Sequence, residues 1–266
     1  MERGGHLIAT GRTGLYTERG DPRSGDPLGE LLGVRRAVRK PSVAEDLGRA
    51  RETVHSYLRI APERRHHPLL AGFEETDILP FGGRLEGIEP ARGAEVLLTF
   101  IPPFPAYPPE TAWMRTPRTD VPGLIVRTAE RGSRVAYLAA DLDRRFGRDN
   151  LPDHADLLAN LVRWAAGDTT PLTVAGPGFV DCHLYRQPGR MVLHLVNLTS
   201  AGTWRAPVHE LIAIGPLTVR VRLYAGVAGQ ALKRLVAQRD EGLAPRDGWV
   251  AFDVPSLLDH EVVVIA

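Results

Sequence analysis

The sequence predicts an α/β region over residues 1–170 followed by a small antiparallel β-sandwich over residues 171–266. Three observations carry this division. The strongest helical pattern lies just before residue 170, where Leu157, Leu161 and Trp164 share one face with Leu158, Val162 and Ala165 beside it. After residue 171 the chain instead alternates apolar and polar residues in short runs, the period of half-buried strands. Finally, 27 Gly and 22 Pro in 266 residues imply many turns and short elements rather than a helix bundle.

The elements follow in order. Residues 1–5 read as the end of a helix stopped by Gly4-Gly5, after which Leu7–Thr10 is a short buried strand ending at Gly11. A domain rarely starts at such a point, so the N-terminal part of the α/β region is expected to be missing. Residues 12–27 form a polar loop. Asp26 is placed to cap a short helix carrying Pro27, Leu28, Leu31 and Leu32, and Gly33 stops it. Val54–Ile60 is strand-like, residues 66–70 begin a turn or short helix, and residues 73–87 look irregular. The apolar run 95–101 is a strand, and it meets five prolines within residues 102–109. Those prolines are expected to prevent both helix and ladder pairing, leaving a long surface loop.

Residues 123–127 and 134–139 read as a hairpin joined by Glu130-Arg-Gly-Ser133. The helix that follows has Asn150 or Asp153 as a cap, Pro152 in its first turn and Gly167 closing it. Residues 168–171 are a linker. The tail then holds strands at 178–186, 190–199, 214–224, 248–254 and 261–265, the first two joined across Gln187-Pro188-Gly189.

Charge and composition exclude several classes. Thirty-three basic and 32 acidic residues leave a net charge of +1, which disfavours a general binder of nucleic acid or of an anionic membrane. No apolar stretch reaches the roughly 18 residues of a bilayer span. The single cysteine, Cys182, rules out an internal disulfide framework and a multi-thiolate metal site. With no signal-peptide pattern at the start, a cytoplasmic setting is expected. All but Lys40 and Lys233 of the basic residues are arginine, as a GC-rich genome would give.

No catalytic constellation emerges. Cys182 lies on an alternating strand rather than in a nucleophile elbow, and adjacent His183 points to the opposite face. Asp141, Asp143, Asp149, Asp153, His154 and Asp156 form an acidic cluster. However, Arg145 stands where a calcium loop needs its next ligand, and the glycine comes one place late. A strand end followed by a helix N-terminus explains these acids better. His66-His67 diverge in either regular structure, and nothing fixes two of Glu74, Glu75 and Asp77 at a glycosidase acid/base spacing. Neither a metal nor a cofactor is expected. Open α/β sheets bind ligands beyond their strand ends, so residues 10–16 and 141–150 should converge there, with Tyr16, Arg144, Arg145 and His154 as the candidate ligand-binding groups. The aromatics Phe104, Tyr107 and Trp113 form a candidate contact loop, able to stack on sugar rings or to anchor a subunit contact.

Residues 4–16 (GGHLIATGRTGLY), with Gly20-Asp-Pro-Arg23 and residues 28–34, resemble a segment of the β-galactosidase trimerisation domain. Residues 137–146 (YLAADLDRRF) followed by 157–164 (LLANLVRW) are similar to the last strand and helix of that domain. In the tail, 194–199 (HLVNLT) and 216–222 (PLTVRVR) are similar to the β domain that ends these glycoside-hydrolase-like proteins. The resemblance implies a partial sheet of the flavodoxin-like, glutamine-amidotransferase-like kind, without the amidotransferase nucleophile. It also implies a TIM barrel elsewhere in the protein that holds the catalytic carboxylates, because a barrel of about 250 residues does not fit in this chain. The function so implied is that of a non-catalytic C-terminal portion, serving oligomerisation and the shaping of a neighbouring active site. Its partner would be a second copy or an N-terminal barrel. The alternatives are a stand-alone carbohydrate-binding module using the loop aromatics and, further off, a small glycosidase using Glu74, Glu75 or the Asp141 cluster.

Overall fold

A computed structural model describes residues 5–36, 42–128, 132–167, 170–199 and 210–266. The helix end expected at residues 1–4, the turn residues 129–131 and the linker residues 168–169 lie outside the described residues. The chain divides into two compact units, Met1–Asp168 and Thr169–Ala266.

The first unit contains β1 (Leu7–Thr10), α1 (Gly29–Leu32), β2 (Val34–Arg36), β3 (Val54–Ile60), β4 (Ile78–Pro80), β5 (Ile88–Pro90), β6 (Glu95–Pro105), β7 (Pro122–Thr128), β8 (Arg134–Leu138), α2 (Leu142–Asp149) and α3 (Pro152–Ala166). Six strands form one sheet in the order β1-β8-β7-β6-β3-β4, and β2 and β5 pair separately. The β1–β8 pair is parallel, with Leu7 opposite Val135, whereas the other four neighbours in the sheet are antiparallel. That mixed sheet with helices packed on it gives the α/β character of this unit. The hairpin expected around residue 130 is the β7–β8 pair, registered Leu124 to Leu138 and Thr128 to Arg134.

The core explains which residues became strands. Leu58, Leu98, Leu124, Ala136 and Leu138 of the central strands are fully buried together with Leu142, Leu157 and Leu161 of the helices. In α3 the residues three and four apart that face inward, His154, Leu157, Leu161 and Ala165, are its buried set. Gly167 ends that helix at φ 64°, and Gly33 ends α1 at φ 71°, the left-handed conformation in which a side chain is penalised.

Several local expectations need correction. Neither Asp153 nor Asn150 caps α3; Leu151 occupies that position with no side-chain bond. Asp26 does not cap α1 either. Its Oδ1 accepts from Leu28 N at 3.1 Å, and its carboxylate is drawn to Arg36 at 2.5–2.7 Å. Residues 73–87 contain a strand after all, since β4 pairs with β3 through Leu58 and Leu79. The acidic stretch 141–149 is a helix of its own, α2, ended by Asn150 at φ 53°.

The largest correction concerns the prolines. Strand β6 does not stop at residue 101 but runs on through Pro105, with Phe104 opposite His55 and Pro105 opposite Val54. Two features permit this. β7 pairs with β6 only as far as Thr99, and after Phe100, whose N–H donates to Val121 O at 2.8 Å, the strand has no further pairing with β7 to complete. On the other edge the register shifts between His55 and Tyr57, so Pro102 and Pro103 together face Ser56 in a bulge, where missing N–H groups are tolerated. The exposed loop begins only after residue 105.

The second unit contains β9 (Leu172–Ala175), β10 (Val180–Gln187), β11 (Arg190–Asn197), β12 (Leu217–Arg222), β13 (Ala231–Arg234), β14 (Arg239–Gly242), β15 (Trp249–Val254) and β16 (His260–Ile265). They form a five-stranded sheet, β10-β11-β16-β13-β14, and a three-stranded sheet, β15-β12-β9, with every pairing antiparallel. Met191, Leu193, Leu195, Val263 and Ile265 of the first sheet join Leu217, Val219, Val221, Val250 and Val254 of the second in one buried cluster. Alternation therefore built a sandwich, with every second residue facing inward. At its end Asn197 is buried; its amide donates to the carbonyls of Ile212, Leu257 and Leu258 at 2.8–3.2 Å and its Oδ1 accepts from Thr199 N at 2.9 Å.

Candidate functional site

Residues 10–16 and 141–150 meet beyond the end of the β1–β8 pair. Thr10 Oγ1 donates to Asp143 Oδ2 at 2.8 Å, and the buried Tyr137 hydroxyl donates to Gly11 O at 2.6 Å. From this point a continuous polar band crosses the first unit. Arg12 donates to the Tyr16 hydroxyl at 2.8 Å and to Glu86 at 2.9 Å. Ser42 donates to Glu86 at 3.2 Å and accepts from Arg84 Nε at 2.8 Å. The Arg84 backbone N–H donates to Asp141 Oδ1 at 2.8 Å, and Asp141 pairs with Arg144. Arg144 then reaches Asp46 at 2.9 Å, and Asp46 also holds Arg148 at 2.8 Å and faces Arg145 at 3.8 Å. Arg145 closes the band on Asp149 at 2.5 Å.

Tyr16, Arg144 and Arg145 thus belong to one network, although they are distant in sequence. His154 stands apart from it. Its ring is fully buried, and Nε2 lies 2.7 Å from Pro80 O, so the proton sits on Nε2, which donates to that carbonyl. Burial, reinforced by the charge of Arg145 and opposed by the Pro80 carbonyl, pushes its pKa below the usual histidine value and keeps the ring neutral.

The band's acids differ in their electrostatics. Burial disfavours the charged form of Asp46, but the Gly48 N–H and the guanidinium groups of Arg144 and Arg148 outweigh it and hold the carboxyl below its ordinary range. At Asp141 the balance reverses: burial pushes its pKa up despite Arg144 and the Arg84 N–H.

Sequence reasoning missed Arg12, Ser42, Asp46, Arg84 and Glu86. These sit on loops with no local motif and meet only through tertiary structure. One signal was visible in Gly82-Gly83. A Cβ on Gly83 would lie 2.2 Å from Asp141 Oδ1 and 2.9 Å from Arg145 Cγ, so the chain must carry glycine where the band crosses it.

Beside α2 the same unit has a cavity of about 440 Å³. Leu47, Val54, Ser56, Phe81 and Leu151 line it, together with the Arg145–Asp149 pair.

The other sequence candidates are dispersed. Phe104 is not a loop residue; it is buried in β6 and stacks on Tyr57 with ring centroids 5.8 Å apart. Tyr107 and Trp113 are 71% and 55% exposed, and Arg115 covers one face of the Trp113 ring at 3.5 Å. Two of the carboxylates considered for glycosidase chemistry have local roles: Glu74 Oε1 accepts from Gly72 N at 3.0 Å, and Asp77 pairs with Arg65. Cys182 lies on β10 with its thiol pKa raised by burial and by Asp181. No helix among the described residues is long and apolar enough to cross a membrane.

Neither a protein-family model nor a curated protein sequence matches the chain. Solved structures do. The α-L-fucosidase isoenzyme 2 of Paenibacillus thiaminolyticus is similar over 99% of this chain, at 17% identity and a TM-score of 0.62. A β-galactosidase of Bacillus circulans sp. alkalophilus is similar over 99% of it, at 14% identity and a TM-score of 0.52. The chain spans only 37% and 29% of the lengths of those two proteins. The fold is therefore one that recurs as part of larger glycoside hydrolases.

Proposed function

We propose that this chain is the non-catalytic, C-terminal portion of a glycoside-hydrolase-like protein of the β-galactosidase type, serving oligomerisation and the shaping of a neighbouring active site. The observation that carries this reading is the lopsided coverage. Nearly the whole chain matches a fucosidase, yet it accounts for little more than a third of that protein. Chemistry in this chain points the same way. Asp46, Asp141 and Asp149 are tied to arginines and a backbone amide in a band that fixes loops in place, a supporting role. The trimerisation-type, amidotransferase-like identity of residues 1–170 and the partnership with a barrel rest on the sequence resemblance. A cytoplasmic setting is part of the same proposal.

Assays of the chain with nitrophenyl galactosides and fucosides test the non-catalytic claim. Release should stay at the uncatalysed rate. Hydrolysis abolished by Glu74→Gln, Glu75→Gln or Asp141→Asn would overturn it.

A second reading, a carbohydrate-binding module, is favoured by the exposed rings of Tyr107 and Trp113. Aromatic faces of this kind stack on sugars as well as on partner proteins. Calorimetric titration with galactosides, fucosides and plant polysaccharides decides it. Heat lost in Trp113→Ala supports the module, and an absence of heat with all three excludes it.

A further inference from the structure

We infer that the cavity beside α2 is a binding site for one neutral sugar ring, held against the Arg145–Asp149 pair. The inference deepens the carbohydrate reading by placing the ligand in a pocket rather than on the exposed loop. Three properties of the cavity select this chemistry. Its volume of about 440 Å³ is at the small end of ligand pockets, which run from roughly 300 to 1,000 Å³, and suits a monosaccharide. Leu47, Val54, Phe81 and Leu151 give apolar walls of the kind that pack on the C–H faces of a pyranose. Arg145 and Asp149 place a donor and an acceptor side by side at 2.5 Å. A carboxylate has about four lone-pair directions, so Asp149 accepts from a hydroxyl while keeping its arginine. Neighbouring hydroxyls, each both donor and acceptor, are the complement of such a pair.

The charge balance sets the ligand's charge. Arg145 faces Asp149 and Asp46, so the wall carries no unbalanced cation to select a phosphate or carboxylate. The backbone brings the guanidinium to the pocket wall: a Cβ on Gly82 would touch Arg145 Nη2 and Leu47 Cδ1, each at 3.6 Å. Leu47 and Leu151 are both partly exposed, which leaves the mouth open to solvent.

Amide chemical shifts of the full chain, titrated with methyl α-L-fucoside, methyl β-D-galactoside and methyl β-D-glucoside, test the proposal. Saturable shifts of the Ser56, Gly82 and Leu151 amides are expected with at least one glycoside, at a dissociation constant of about 1 mM. Asp149→Asn should weaken binding about tenfold or more. Should that variant fail to fold, Leu47→Trp, which fills the mouth from a partly exposed position, should abolish the same shifts. Binding that survives Leu47→Trp but is lost in Trp113→Ala would overturn the pocket and leave the carbohydrate reading standing. If no glycoside shifts these amides while polysaccharides still bind, the pocket is again overturned alone. Silence towards glycosides and polysaccharides alike would remove both.

Discussion

At the scale of single residues, His154 is the most informative. It is buried, and its folded pKa lies below the unfolded value of about 6.5. As pH falls through that value the unfolded chain takes up a proton that the folded chain refuses, so folding stability must decline. His67 is shifted in the same direction by burial and by Arg64, and it adds to the slope, against the pull of Glu95. The loss begins near pH 6.5, above the range where Asp26 and Asp46, whose pKa values are held down, lose their ion pairs. Urea unfolding measured from pH 8 to pH 5 should therefore show stability falling below pH 6.5. His154→Leu should flatten that fall while costing about 1–2 kcal/mol at pH 8 through the orphaned Pro80 carbonyl. An unchanged slope in the variant would mean that the ring is not held neutral. Gly83 is the second informative position. Its replacement by Ala drives a methyl group into Asp141 and Phe81 and should cost about 1–3 kcal/mol, read as a lowered Tm in thermal unfolding.

Among the elements, those whose stabilisation is local were legible in the sequence. Val54–Ile60 alternates along its length, and α3 carries both its apolar stripe and its Pro152 and Gly167 punctuation. The hairpins β7–β8 and β10–β11 announced themselves through glycine turns between apolar runs. What escaped was decided by neighbours. β4 is three residues long and exists because β3 offers it an edge. The prolines of β6 stay within a strand because a bulge opposite Ser56 absorbs them, and no local rule foresees the partner that makes a bulge. Helix α2 reads as a polar stretch since most of its residues are charged. Buried Leu142 and the i,i+4 pair Arg145–Asp149 hold it in place. The candidate site follows the same division. The convergence of residues 10–16 with 141–150 could be read from strand ends, whereas Asp46, Arg84 and Glu86 arrive on loops whose sequence carries no signature.

For the whole molecule, two buried clusters are built from separate stretches of chain, one entirely before residue 168 and one entirely after 170. A unit with its own core and a fully antiparallel sandwich should fold alone. Residues 169–266 expressed by themselves are expected to unfold in one cooperative transition with a β-type circular dichroism spectrum, and a chain without such a transition would contradict that. The central claim is that the protein works by assembling. Multi-angle light scattering of the purified chain across a hundredfold range of concentration tests it most directly. A mass of at least twice the 29.1 kDa chain, at an integral multiple of it and retained on dilution into the micromolar range, is expected. A mass of 29.1 kDa at every concentration would contradict it.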